Sequence, residues 1–218
     1  MCIRDSTYAA VALDAGSLRA ALTHPIADPL AEATVWAALW SMTRDGELPV
    51  ARFLDAVATL SARIATVGVH AQVLAQAAAA VGQYARAEDR DALRSRLGEV
   101  LAEQTRTLEA GSDRQRTAAR TWATLARADV GMAAALEAAL LGEDAAAFAP
   151  GLAVDAELRW LVLQALAATG RADQDRLDAE LEAKRAAQAV TWHRLALAAR
   201  PEPGVKALIL RGAGRARR

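Results

Sequence analysis

Apolar residues recur at helical spacing along nearly the whole chain. The clearest case begins at Asp28, a residue type that caps helices, and at Pro29, which suits the first helical position. Its apolar side chains form two neighbouring faces, with Val35, Leu39 and Met42 on one and Trp36 and Trp40 on the other. A helix that is apolar on several sides is expected to be buried, so we predict a central helix that runs to about Met42.

The same periodicity predicts helices along the rest of the sequence. One short helix is expected from Ser17 to Thr23, one begins at Pro49, and others cover 66–85, 89–108, 112–126, 130–141, 155–169, 172–184 and 186–199. Gly111 and Gly170 are typical helix stops, and Ser112 with Gln115 has the spacing of a capping box. Because most connections are a few residues long, successive helices should pack antiparallel.

This order of elements predicts an all-α fold in which antiparallel helix pairs stack as in HEAT or armadillo solenoids. No strict repeat is visible, so a compact all-α bundle stays open as the structural alternative. The segment TYAAVALD alternates loosely, which predicts a short strand or linker over residues 7–16. Since a strand needs partners, it would be a remnant of a preceding domain.

Composition narrows the class of protein. Alanine, the strongest helix former, makes up about a quarter of the chain. Lys and Arg together number 26, as do Asp and Glu, and this balance disfavours nucleic acid as a partner. No apolar run is long enough to span a membrane and no signal peptide precedes the helices, which predicts a cytoplasmic protein. We expect residues 1–6 to be an artefactual leader and 206–218 to be a divergent basic tail.

Residues for chemistry are sparse. His24, His70 and His193 lie in separate segments, no HExxH motif occurs, and the single cysteine, Cys2, excludes an internal disulfide and a cysteine-based zinc site. Glycine-rich phosphate loops and GxSxG are absent. We therefore predict no catalytic residue and no metal ligand within this chain.

The segment GLAVDAELRW, residues 151–160, concentrates charge and aromatic area. Asp155 is placed to cap a helix by accepting the N–H of Leu158, and Glu157 faces the positive end of the helix dipole. Arg159 lies four residues after Asp155 and can pair with it. This cluster is thus predicted to start a helix rather than to catalyse a reaction.

Four stretches together resemble a known family. They are TYAAVALDAGSLRAAL, IADPLAEATVWAALWSMTRDGELP, GLAVDAELRWLVLQALAATGRAD and DAELEAKRAA. In this order they look like the C-terminal helical domain of actinobacterial-type aminopeptidase N, which is similar to the C-terminal domain of endoplasmic-reticulum aminopeptidases. The resemblance covers about Thr7 to Lys206.

The resemblance implies that catalysis and substrate access depend on different domains of the parent enzyme. The parent would be a zinc metallopeptidase with an HExxH motif and a distal glutamate, and its catalytic domain and zinc would lie outside this chain. Residues 17–205 would form a helical lid that encloses a chamber for short peptides, inactive by itself. Its partners would be the catalytic domain and short peptides, with neither nucleic acid nor membrane.

Three residues are candidates for the chamber lining. Arginines facing the chamber could attract the C-terminal carboxylate of a peptide, and Arg159 and Arg44 are the candidates for this role. Trp40 is the aromatic candidate, although packing is the favoured explanation for Trp36 and Trp40. A free-standing helical-repeat module that binds peptides or proteins remains the alternative function.

Overall fold

A computed structural model describes residues 11–183 and 187–202, and these residues form helices and no strand. The all-α class predicted from the sequence is confirmed, while the solenoid arrangement stays a prediction. The chain divides into two compact units, Met1–Leu97 and Gly98–Arg218.

From residue 11 onward, the first unit contains four complete α-helices and the start of a fifth. They are α1 (Ala15–Ala21), α2 (Pro29–Arg44), α3 (Val50–Leu60), α4 (Val67–Ala79) and α5 (Arg90–Thr107), which continues into the second unit. Asp28 caps α2 through a 2.7 Å hydrogen bond from Ala31 N–H, with Pro29 as the first helical residue, as predicted. The last turn of α4 widens into a π-helical segment, Ala80–Tyr84.

The start of α1 differs from the prediction. Asp14, rather than Ser17, is the capping residue, because its carboxylate accepts hydrogen bonds from the N–H groups of Gly16 and Ser17. Val11 to Asp14 therefore lead into a helix and belong to no strand, and the predicted strand is not found over this part. Residues 7–10 of that prediction lie outside the described residues.

The core of the first unit is built on α3. Its buried face consists of Phe53, Leu54, Ala56, Val57 and Leu60, the i, i+1, i+3, i+4, i+7 pattern of one helical stripe. This stripe packs against α2 and α4. The π-helical segment also contacts α2, so the end of α4 is fixed against the central helix.

Glu32 is a buried carboxylate on α2, with 9% of the residue exposed. It faces a small cavity that Trp36, Leu60 and His24 also line, and no described residue donates a hydrogen bond to its side chain. Burial raises the pKa of Glu32, because an apolar site disfavours the charged form.

We expect Glu32→Gln to stabilise the chain at neutral pH. With the folded-state pKa above the unfolded one, wild-type stability falls as pH rises from the unfolded pKa through the folded pKa. Urea unfolding at pH 4 and pH 7 should show a gain for the variant only at the higher pH. Repeating the comparison in a His24→Gln background removes the other titratable side chain of the cavity. An equal gain in unfolding free energy from Glu32→Gln at both pH values would contradict the prediction.

The described residues of the second unit form the rest of α5 and six further helices. They are α6 (Asp113–Leu125), α7 (Val130–Leu141), α8 (Ala145–Phe148), α9 (Ala156–Ala168), α10 (Gln174–Ala183) and α11 (Ala187–Ala199). All but the four-residue α8 match a predicted helix to within about two residues, the usual uncertainty of helix ends. The short α8 has no full turn of periodicity to reveal it.

α9 is the central helix of this unit and packs against α6, α7 and α11. Its buried residues lie on every side: Leu158, Trp160, Val162, Leu163, Gln164, Ala165, Leu166 and Ala167. Small alanines among these leucines allow neighbouring helices to approach closely, which is how an alanine-rich sequence fills a core with few aromatic residues.

Two turns meet backbone to backbone at one end of the second unit. Gly111 and Gly151 both have positive φ, at 72° and 73°. A Cβ on Gly151 would lie 2.9 Å from the backbone nitrogen of Gly111. The fully buried Gln115 joins both turns, because its amide group donates to the carbonyls of Thr105 and Pro150 and accepts from Gly111 N–H.

This arrangement corrects part of the capping-box prediction. Ser112 Oγ does accept the N–H of Gln115, at 3.2 Å, as expected for a helix start. The Gln115 side chain, however, turns to Gly111, Thr105 and Pro150, and thereby ties the two turns together.

Candidate functional site

Four aromatic rings cluster in the first unit. Trp36 and Trp40, one turn apart on α2, both contact Phe53 of α3, with ring centroids 6.1 Å apart in each pair. Trp40 also meets Tyr84 edge to face, at 5.6 Å and 85°. Trp36 is buried and Trp40 and Tyr84 are partly exposed, so the cluster runs from the core to the surface.

Tyr84 forms part of a groove of about 480 Å³ in the same unit. One wall is the turn between α2 and α3 and the start of α3, and the other is the segment from Tyr84 to Leu93. Tyr84 ends the π-helical segment, a distortion that often occurs at functional sites. The groove volume lies in the range of small-ligand and peptide sites.

The lining of the groove combines apolar walls with a few polar groups. Apolar contacts come mainly from Leu48, Pro49, Val50, Ala92 and Leu93, and the charged groups are Arg86 and Asp89. Arg86 forms no ion pair with any residue that the structure describes. An apolar slot that also presents a cation, a carboxylate and a phenol hydroxyl suits an extended peptide segment.

The structure places Trp40 and Arg44 on the same helix near this groove. Trp40 packs behind Tyr84 and supports the groove wall, although it does not line the groove itself. Arg44 closes α2, with 51% of its side chain exposed, and its contact with Asp45 is 3.5 Å long. A pair this exposed contributes little and leaves the guanidinium accessible.

Arg159 lies in the second unit and has a closer partner. Its Nε donates to Glu180 of α10 at 2.6 Å, and 12% of the Glu180 side chain is exposed. This hydrogen bond raises the pKa of the Arg159 guanidinium. The predicted pairing with Asp155 is therefore replaced by a bond between helices, because Arg159 extends towards α10 rather than along its own helix.

The other residues of segment 151–160 start the helix as predicted. Asp155 caps α9 by accepting Leu158 N–H at 2.8 Å. Glu157 in the first turn pairs with Arg120 of α6. Trp160 is buried in the core, edge to face with His193 at 6.0 Å, and His193 Nε2 lies 2.6 Å from an oxygen of Asp178.

Sequence reasoning missed Tyr84 and Arg86. Both follow the alanine-rich run of α4, whose even apolar pattern gave no sign of a π-helical turn. The one available signal was the isolated aromatic residue two positions after Gly82, where an otherwise regular helix was expected to end.

The described residues contain neither a group of metal ligands nor a helix that could span a membrane. Across residues 11–183 and 187–202, no three side chains of His, Cys, Asp or Glu come together as a metal site would require, so the residues present do not fit a zinc ion. No helix in the same ranges is long and apolar enough to cross a membrane.

Comparisons with known proteins give one consistent result. Residues 3–212 match the family model described as ERAP1-like C-terminal domain. The chain is also 37% identical over 205 residues to Aminopeptidase N of Streptomyces lividans. That alignment covers 93% of this chain and 24% of the Streptomyces protein, so the chain spans about a quarter of the length of this relative.

Proposed function

The chain belongs to the family of ERAP1-like C-terminal domains, and on that premise we propose that it is the C-terminal helical domain of a zinc-dependent aminopeptidase. The observation that carries the proposal is the match to Aminopeptidase N over 93% of this chain but 24% of that protein. A catalytic domain with its zinc would belong to the remaining length. The activity would be removal of N-terminal residues from short peptides.

Within such an enzyme the domain would act as a lid that encloses the peptide chamber. The groove of the first unit supports this role, because its apolar walls and charged groups suit an extended peptide. The second unit supports stacked helix pairs. Arg120 of α6 contacts Glu157, and Arg127 of the 3-10 turn that follows α6 contacts Gln164, so α6 and α9 run parallel. Parallel alternate helices are what successive antiparallel pairs produce.

Among the three chamber candidates, Arg44 is the one whose surroundings give the most support to a role in binding a peptide carboxylate. Its guanidinium is exposed and only weakly paired, and Trp40 lies one turn away on the same helix. Arg159 remains a candidate through the donors that it does not use with Glu180.

The first test is an assay of the chain by itself. With zinc and alanyl-p-nitroanilide as substrate, we expect no turnover above the uncatalysed rate, because the described residues offer no metal site and the sequence contains no HExxH. Turnover that persists through repeated purification and disappears with a chelator would overturn the proposal.

The second test joins the chain to a catalytic part. We expect this chain to restore peptide hydrolysis when it replaces the corresponding C-terminal quarter of the Streptomyces enzyme. In this hybrid, Arg44→Met should raise KM for trialanine about 3- to 10-fold with kcat unchanged, since an exposed charge-assisted hydrogen bond is lost. Alanyl-p-nitroanilide has no carboxylate and should be unaffected, and Arg19→Met, at another exposed arginine, is the matched control.

A free-standing peptide-binding module is the second candidate, and the groove of the first unit is the observation in its favour. Binding can be followed through tryptophan fluorescence, because Trp40 contacts the groove residue Tyr84. Peptide binding by the chain alone, combined with failure to restore the hybrid enzyme, would favour this alternative over the lid.

A further inference from the structure

Two arginines of the second unit form a regular ladder between α6 and α9. Arg120 donates to Glu157, and Arg127, in the 3-10 turn that follows α6, donates to Gln164. The two arginines are seven residues apart and so are their partners, so the two contacts lie at successive levels along α9. The lower level, Arg120 with Glu157, joins a cation to a carboxylate. The upper level, Arg127 with Gln164, joins a cation to a neutral amide.

The upper level therefore has uncompensated positive charge. Within residues 11–183 and 187–202, no carboxylate oxygen lies within 4 Å of the Arg127 guanidinium, whereas Arg120 has Glu157. The Nε–H groups of both arginines are buried without an acceptor, so the missing carboxylate is what distinguishes the upper level. Burial lowers the pKa of Arg127, with no neighbouring anion to raise it. Arg127 is partly buried, and a cation partly withdrawn from water without a counterion is unfavourable, so proteins often supply a partner.

Other arginines with interhelical contacts in this unit show the usual solution. Arg159 meets Glu180, and both Arg171 and Arg176 meet Glu137. These contacts hold the pKa of Glu137 below its ordinary value, with burial acting in the opposite direction. Outside the described residues, the sequence contains one acidic side chain, Asp5.

We propose that Arg127 and Gln164 form a binding site for a carboxylate group supplied from outside this unit. The guanidinium has five N–H donors and uses one with Gln164, whose amide nitrogen carries further donors beside it. The lower level shows that this geometry accepts a carboxylate, since Glu157 occupies the equivalent position. The proposal stands independently of the peptidase function.

The site can be tested with acetate as the probe. The complete 218-residue chain is melted in sodium chloride that is replaced stepwise by sodium acetate at constant ionic strength. A ligand that binds only the folded state raises Tm, by about 3–6 °C once its concentration is tenfold above Kd. Arg127→Met should abolish this acetate-dependent rise.

Gln164→Glu is the decisive second variant. Its carboxylate would fill the site from within, so this variant should melt higher than wild type in chloride and gain nothing from acetate. Arg194→Met removes an exposed arginine of the same unit and should keep the full acetate effect. Equal acetate effects in wild type and all three variants, or none in wild type, would overturn the proposal.

A further arm identifies the source of the carboxylate. Trialanine that stabilises wild type at much lower concentration than acetate, while trialanine amide has no effect, indicates the C-terminus of a peptide. Equal effects of acetate and trialanine indicate a carboxylate side chain of a partner protein region. Both results support the site, and stabilisation by trialanine amide equal to that by trialanine contradicts it.

Discussion

Replacing Gly151 with alanine is expected to cost about 3 kcal/mol or more of unfolding free energy in the second unit. Two penalties add at this position. The φ of 73° is strained for any residue with a Cβ, and that Cβ would lie 2.9 Å from both Gly111 N and Ala110 Cβ. Because the opposing atoms include backbone, the turn cannot relieve the contact by a simple side-chain rotation.

Gly46→Ala separates these two penalties. Gly46 has a similar φ of 82°, but a Cβ there would meet nothing within 4 Å. We expect this variant to lose only the conformational part, about 1 kcal/mol. Urea unfolding of both variants measures the difference, and equal losses would mean that the close approach of the two turns contributes nothing.

Replacing Gln115 with methionine should cost about 3 kcal/mol. Methionine has nearly the same length and volume, so the change removes hydrogen bonds with little effect on packing. It leaves the carbonyls of Thr105 and Pro150 and the N–H of Gly111 without the Gln115 amide, in a place where that residue has no exposed surface. The Thr105 carbonyl lies in a buried contact and incurs the full desolvation penalty, whereas the partly buried Gly111 N–H and Pro150 carbonyl incur only part of it.

Gln174→Met is the matched control, since Gln174 is exposed and its side chain makes one long contact of 3.4 Å with Asp178. Its unfolding free energy should change by less than about 0.5 kcal/mol.

The double variant that combines Gln115→Met with Gly151→Ala should lose less unfolding free energy than the sum of the two single variants, because both changes disrupt the same junction. Strict additivity would show that Gln115 and Gly151 act independently.

Much of the fold could be predicted because helix starts depend on local chemistry. Asp28, Ser112 and Asp155 each bond a backbone N–H three residues ahead, a geometry that sequence spacing alone determines. The same reasoning misplaced the start of α1, because Asp14 and Ser17 both have capping side chains. Ser17 Oγ in fact donates to Asp14 Oδ2 at 2.6 Å, so the predicted cap supports the real one.

The candidate site was harder to predict because its contacts join distant parts of the chain. Arg159 has Asp155 four residues before it, but it bonds Glu180, which is 21 residues away. Trp40 was identified as an aromatic candidate, whereas its partner Tyr84 depends on a change of helix type. Periodicity specifies which face of a helix is apolar, but it does not specify which other helix that face will meet.

The ladder between α6 and α9 has a consequence for register. Seven residues correspond to about two helical turns, so both levels are satisfied by one alignment of the two helices. A slip of four residues in one direction would place Arg120 opposite Leu161 and Arg127 opposite Ala168, and would leave both cations against apolar side chains. Alanine and leucine surfaces alone would tolerate such sliding. These polar contacts, although partly exposed and weak in energy, therefore select one alignment among several that hydrophobic packing would accept.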